Sequence, residues 1–209
     1  MLPPPSANSD LPPADAIGEL ADDICVTSTA AGPWPARLVN ESADAYFARL
    51  VESGELDAAV RFAAVRMGPR RATWWGSMCV WNTLRDQPDA SPNAAAAVDA
   101  AVQWVLTRTE DSRRAAREAA DAVGMQTPSG AVAASAFWSE GSVSLVGCPD
   151  VPAPPGVAAK LVVNAVTMTA AAPASAERTA ALLQSLRIAA EVLATPSPWS
   201  AVAVEESPA

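Results

Sequence analysis

Two adjacent arginines and three tryptophans lie between Pro69 and Trp81: Arg70, Arg71, Trp74, Trp75 and Trp81. Of all the residues in this chain they are the best suited to recognition chemistry. A guanidinium group binds a carboxylate bidentately, and an indole buries a large apolar face with a donor at its edge. Both types are enriched where protein interfaces concentrate their binding energy. Residues 58–85 hold five arginines (Arg61, Arg66, Arg70, Arg71, Arg85) and no acidic residue, although the whole chain carries a net charge of −9. The first 60 residues carry ten acids against two arginines, a net charge of −8. The basic stretch therefore has two readings, neutralisation within the chain or attraction of an acidic partner.

A helical projection places Trp74, Met78 and Trp81 on one stripe at i, i+4 and i+7, which reads as core, with Trp75 and Cys79 beside it and Trp75 at the rim of a groove. A second aromatic pair, Phe137-Trp138, leads through Ser139-Glu140-Gly141-Ser142 into a long Pro/Gly-rich connection over 139–156. Long connections in compact domains often carry function. The contact surface expected from these features comprises Arg70, Arg71, Trp75, Trp138, Ser139 and Glu140. On this reading, reversing the charge of Arg70 and Arg71 abolishes docking and leaves folding intact. The group Arg113, Arg114 and Arg117 is interleaved with Glu110, Asp111, Glu118 and Asp121, and reads as a solvated helix face without a function.

Much chemistry is excluded by what the chain does not contain. It has no histidine, which removes Ser-His-Asp and Cys-His nucleophile systems, zincin sites and imidazole proton shuttles. Neither a GxxxxGK[ST] nor a GxGxxG loop occurs, and no cofactor is expected. A carboxylate-only enzyme would need two acids converging in one cleft, but the acids are scattered over outer helix faces and tails. The three cysteines (Cys25, Cys79, Cys148) have no metal-ligand spacing and read as buried, reduced thiols. The acidic balance argues against nucleic-acid binding, and a single lysine, Lys160, leaves no polybasic membrane patch. The opening residues lack a secretory signal pattern, and the most apolar later run, 157–172, is broken by Lys160 and Asn164. The expectation is a soluble cytoplasmic protein without membrane insertion.

The elements that must position these residues are helices. Alanine, the best helix former, accounts for 48 of 209 residues, and most of the 19 prolines fall between helical segments. Helices are expected from Ser42 to the Ser53-Gly54 break, over 56–67, 69–86, 92–107, 109–123, from Pro128 to Phe137-Trp138, over 156–172 and over 174–194, with a short segment near 15–23. Ser42 or Asn40, and Thr109, are the expected N-caps; Gly54, Gly68 and Gly124 are expected stops. Inward stripes are Leu56, Val60, Ala63, Ala64 and Met67, then Val98, Ala101, Val102, Val105 and Leu106 with Trp104 at an edge, and finally Ala181, Leu182, Leu186, Ala189, Ala190 and Leu193. The pattern predicts an all-α fold, an irregular multi-helix bundle or stacked helical hairpins of about eight helices. A single domain over 14–195 is expected between a disordered Pro-rich tail (1–13) and a C-terminal tail (196–209) that includes Trp199.

Four short motifs carry a resemblance: Ile24-Cys25-x-Thr27-Ser28, Trp74-Trp75-x-x-x-Cys79, Thr127-Pro128-x-Gly130 and Ala136-Phe137-Trp138-Ser139-x-Gly141-Ser142. Over residues 20–172 the chain resembles an uncharacterised bacterial family associated with type VI secretion gene neighbourhoods. No activity follows from that resemblance; it implies an accessory or adaptor role beside such a secretion apparatus, with one of its components as partner. The expected function is non-catalytic protein–protein interaction. The alternative is a helical domain holding an apolar small molecule between its Ala-rich helices and Trp rings.

Overall fold

The computed structural model describes residues 19–27, 33–87, 91–145, 147–171, 175–196 and 199. Among them are nine helices: α1 (Ala21–Thr27), α2 (Ala43–Glu52), α3 (Leu56–Arg66), α4 (Gly68–Leu84), α5 (Pro92–Thr107), α6 (Glu110–Val123), α7 (Pro128–Phe137), α8 (Val157–Thr169) and α9 (Ser175–Ala194). The fold is all-α, a multi-helix bundle. The Pro-rich segment 1–13 lies outside the described residues, as do Ser28 and residues 200–209. β pairing among the described residues is confined to two isolated antiparallel bridges, Leu20 with Ser42 and Ser142 with Pro152.

Local chemistry sets the helix ends. Side-chain oxygens of Ser42, Thr109 and Thr127 accept from the backbone N–H three residues on, at Ala45, Ser112 and Gly130, and so satisfy donors that the first turn leaves free. Pro69, Pro92 and Pro128 occupy first-turn positions, where a missing N–H costs nothing. Gly68, the first residue of α4, turns the chain after α3 with a φ of 66° that a side chain would disfavour.

Helix α7 is the centre of the bundle. Every residue from Ser129 to Phe137 is buried, and α4, α5, α6 and α8 all pack against it. Its sequence, Pro-Ser-Gly-Ala-Val-Ala-Ala-Ser-Ala-Phe, has small side chains all round, so neighbours can close in from every side. The approach is close where α4 crosses: a Cβ on Gly76 would lie 3.2 Å from methyl groups of both Val132 and Val162. The buried Ser135 of α7 is used, its Oγ pairing with Thr73 Oγ1 at 2.9 Å and donating to Val132 O at 2.7 Å. A second cluster gathers α1, α2 and α3 against α8, α9 and the inner side of α4, with Phe62 edge-on to both Tyr46 and Trp34.

The stripe on α4 is turned the opposite way from the sequence expectation. Trp75 is 0% exposed, and its indole Nε1 donates to Ser185 O at 2.9 Å. Trp74 and Met78 are half-buried, and Trp81 is 47% exposed. The reason is steric. The face bearing Ala72, Trp75, Gly76, Cys79 and Val80 alternates one large ring with small residues, so α7 and α8 can approach it. The bulky Trp74/Met78/Trp81 ridge would hold them off. On α5 a similar exchange occurs: Trp104, expected at an edge, is buried, whereas Leu106 is exposed.

Burial predicts an asymmetric response along α4. Trp75→Ala should lose about 3–5 kcal/mol of stability, typical of emptying a packed Trp site. Trp81→Ala should lose no more than about 1 kcal/mol, as a partly exposed position does. Urea unfolding followed by circular dichroism measures both; equal losses would mean that α4 is rotated from the orientation described.

Candidate functional site

The six expected contact residues do not form one surface. Arg70 donates from Nε to Val105 O at 2.7 Å and from Nη2 to Leu106 O at 3.2 Å, with its guanidinium 4.5 Å from the Trp199 ring centre. Arg71 Nη2 donates to the carbonyls of Val192, Leu193 and Thr195. Both arginines thus close the carbonyl ends of helices, α5 and α9 respectively, where cations also complement the helix dipole. Burial and nearby Arg108 lower the pKa of Arg70. The expectation that charge reversal of this pair leaves folding intact is corrected: its hydrogen bonds hold the fold, and reversal would strip donors from two helix ends. Trp75, buried as described, rims no groove.

The rest of the basic stretch is also engaged. Arg66 pairs with Asp44 at 2.8 Å and Glu19 at 3.5 Å, and Arg85 with Asp86 at 3.7 Å. Arg61 donates to Pro33 O and lies 5.6 Å from the Trp34 ring centre. Neutralisation by carboxylates within the chain reaches Arg66 and Arg85, whereas Arg61, Arg70 and Arg71 are held by main-chain carbonyls and rings.

Trp138, Ser139 and Glu140 belong to a loop bolted onto α6. Arg113, read from sequence as a solvated residue, is 1% exposed. It donates to Phe137 O and Ser142 O, each at 2.6 Å, and to both oxygens of Glu110, and lies 4.7 Å from the Phe137 ring centre. Arg114 reaches Ser144 O, and Arg108 holds Glu140 bidentately. Gly141 fits because a Cβ there, at φ 70°, would meet the Arg113 guanidinium at 3.2–3.3 Å. Trp138 and Ser139 line a cleft of about 230 Å³ with Gly68, Pro69 and Pro154.

The stripe that the sequence pattern assigned to the core is partly exposed and apolar. Trp74 and Met78 form a ridge between two valleys. One, about 180 Å³, runs between α4 and α5 and is lined by Trp74, Ser77, Met78, Trp81, Val98, Asp99 and Val102. The other, about 190 Å³, lies between α4 and the end of α9 and is lined by Arg71, Trp74, Met78, Glu191, Val192 and Trp199, among others. Trp199, expected in a free tail, packs against the Trp104/Val105 cluster and closes this end. A third cleft, about 470 Å³, is of mixed character, with Asn82, Thr83, Arg85, Asp86 and Gln184 in its lining beside Cys79, Ala181 and Ile188.

Cys25 and Cys79 are buried thiols as expected; Cys148 is exposed, contrary to expectation. Burial pushes the Cys79 pKa up to about 12 and also raises that of Cys25. Among the described residues there is no group of His, Cys, Asp and Glu that could hold a metal, and no helix long and apolar enough to cross a membrane.

A sequence profile described as a family of unknown function (DUF6931) matches residues 46–193. No curated protein and no solved structure matches the chain.

Two measurements test the arginine-mediated architecture. Arg113→Met leaves the carbonyls of Phe137 and Ser142 without this donor and should cost about 2–4 kcal/mol, read as a lower urea midpoint together with faster proteolysis within 143–155. The second concerns pH. Hydrogen bonds from Arg49 hold the Glu41 carboxyl below its ordinary pKa, and those from Arg113, with Arg114, do the same for Glu110. A depressed carboxylate pKa contributes stability above the ordinary glutamate range, and this is lost as pH falls through the folded-state value. Stability should therefore decline in acid, with a shallower decline in Glu41→Gln and Glu110→Gln; an unchanged slope would count against these pairs.

Proposed function

The chain belongs to a family of unknown function, and we propose that it is a non-catalytic helical protein that binds another protein through the exposed face of α4. The observation that carries this reading is the Trp74/Met78/Trp81 ridge, in which Trp74 and Met78 border both apolar valleys and Trp81, 47% exposed, borders the one against α5. Contiguous exposed apolar surface of this kind marks interaction sites, and Trp and Met are enriched in interface cores. Each cleft described above is lined by at most one carboxylate, which supports a binding role over carboxylate chemistry. Valley size favours a protein partner over an apolar small molecule. Each apolar valley holds less than 200 Å³, below the roughly 300–1,000 Å³ of small-molecule pockets. The secretion-linked part of the proposal, an accessory role beside a type VI-like apparatus, is supported by the motif resemblance alone.

A photo-crosslinking amino acid placed at position 81 in the native host should yield a defined adduct with one protein. The same probe at Leu145, exposed on the α7–α8 loop, should not, and Met78→Asp should remove the adduct from position 81. Equal products at both positions, or none at 81, would defeat the docking proposal. An adduct with a protein unrelated to secretion would defeat only its secretion-linked part.

A further inference from the structure

We infer that the α4 face receives a basic amphipathic helix, an inference that rests on the docking role proposed above and specifies its partner. The floor of the surface is apolar, and each of its two valleys has one acidic side chain in its lining. Asp99 of α5 borders the first valley and Glu191 of α9 the second, and neither has an ion-pair partner among the described residues. Arg71 is the one cation in the lining of either valley, and its Nη2 donates to the carbonyls of Val192 and Leu193 in α9 and of Thr195 just past its end. Incoming positive charge therefore meets two carboxylates without an ion-pair partner, against the single cation Arg71, which borders only the Glu191 valley.

The occupants that the chain itself could supply fit this rim poorly. A second copy brings the same net charge of −9. The segment after Trp199 offers Ala201-Val202-Ala203-Val204 but follows it with Glu205-Glu206. Like charge opposes both, whereas a partner rich in Lys or Arg is steered toward an acidic surface. The form of the ridge favours a helix. Trp74, Met78 and Trp81 stand at i, i+4 and i+7, spanning about 10 Å along α4, so side chains of a crossing helix can drop into the valley on either side. Helix-in-groove recognition uses anchors at this same spacing, and its basic form pairs apolar anchors with flanking cations.

The test uses the full chain and two synthetic 18-residue helices with identical leucine faces, one flanked by lysines and the other by glutamates. Isothermal titration and tryptophan fluorescence report binding. The lysine helix should bind at least tenfold more tightly than the glutamate helix. The difference should shrink with added salt and in the Asp99→Asn/Glu191→Gln variant, and binding should be lost in Trp81→Ala. Equal affinity for both helices, lost in Trp81→Ala, would overturn the charge assignment and leave the docking surface standing. Binding of the lysine helix that survives Trp81→Ala would reflect general acidity and overturn the inference. So would concentration-dependent self-association abolished by Trp81→Ala, which would make a second copy the occupant. If neither helix binds while the position-81 crosslink persists in the host, this inference fails alone.

Discussion

The structure depends on enclosing one small-residue helix completely. Helix α7 carries no charge and no side chain larger than valine before Phe137, and its residues 129–137 are buried. A helix in that position must have its polar groups answered from within the protein, because no water reaches them. The arrangement meets this demand at both ends and in the middle. Thr127 caps the N-terminus, Ser135 pairs with Thr73 on α4, and Arg113 donates to the carbonyl of Phe137. Enclosure also dictates where glycine is needed. Gly76 lets α4 cross against Val132 and Val162, and a Cβ at Gly130 would lie 2.1 Å from the Gly124 carbonyl oxygen.

A second theme is the use of arginine as a ligand for main-chain carbonyls. Arg70, Arg71 and Arg113 each tie one element to the carbonyls of another: α4 to the end of α5, α4 to the end of α9, and α6 to the turn after α7. The guanidinium fork suits this role, since several N–H donors diverge from one planar group. In an acidic chain such residues resemble an electropositive docking patch, but each already gives donors to main-chain carbonyls. With these arginines bonded within the fold, the α4 face proposed for recognition is an apolar one with carboxylates at its rim.

Most helix boundaries were legible because their causes are local. The Ser42, Thr109 and Thr127 caps and the Pro69, Pro92 and Pro128 starts act within a turn of their own position. The α3 stripe from Leu56 to Met67 is buried as its periodicity implies. The α4 face was misread because that helix carries two apolar stripes, and hydrophobicity ranks the Trp74/Met78/Trp81 side at least as high as the other. The distinguishing signal was residue size. Ala72 and Gly76 flank Trp75, and only that face admits close neighbours. Arg113 was misread for a related reason: its spacing to Glu110 is that of an ordinary surface pair, and nothing local shows that Phe137 and Ser142 come to lie over it.

The sequence by itself determined an all-helical chain, the limits of most of its helices, its acidity and the exclusion of imidazole chemistry, since each follows from residue types or short-range contacts. Tertiary structure decided which tryptophan is enclosed, which arginines are available and which face of α4 meets solvent. Those outcomes depend on the shapes of partners distant in the chain, and helical periodicity is blind to shape.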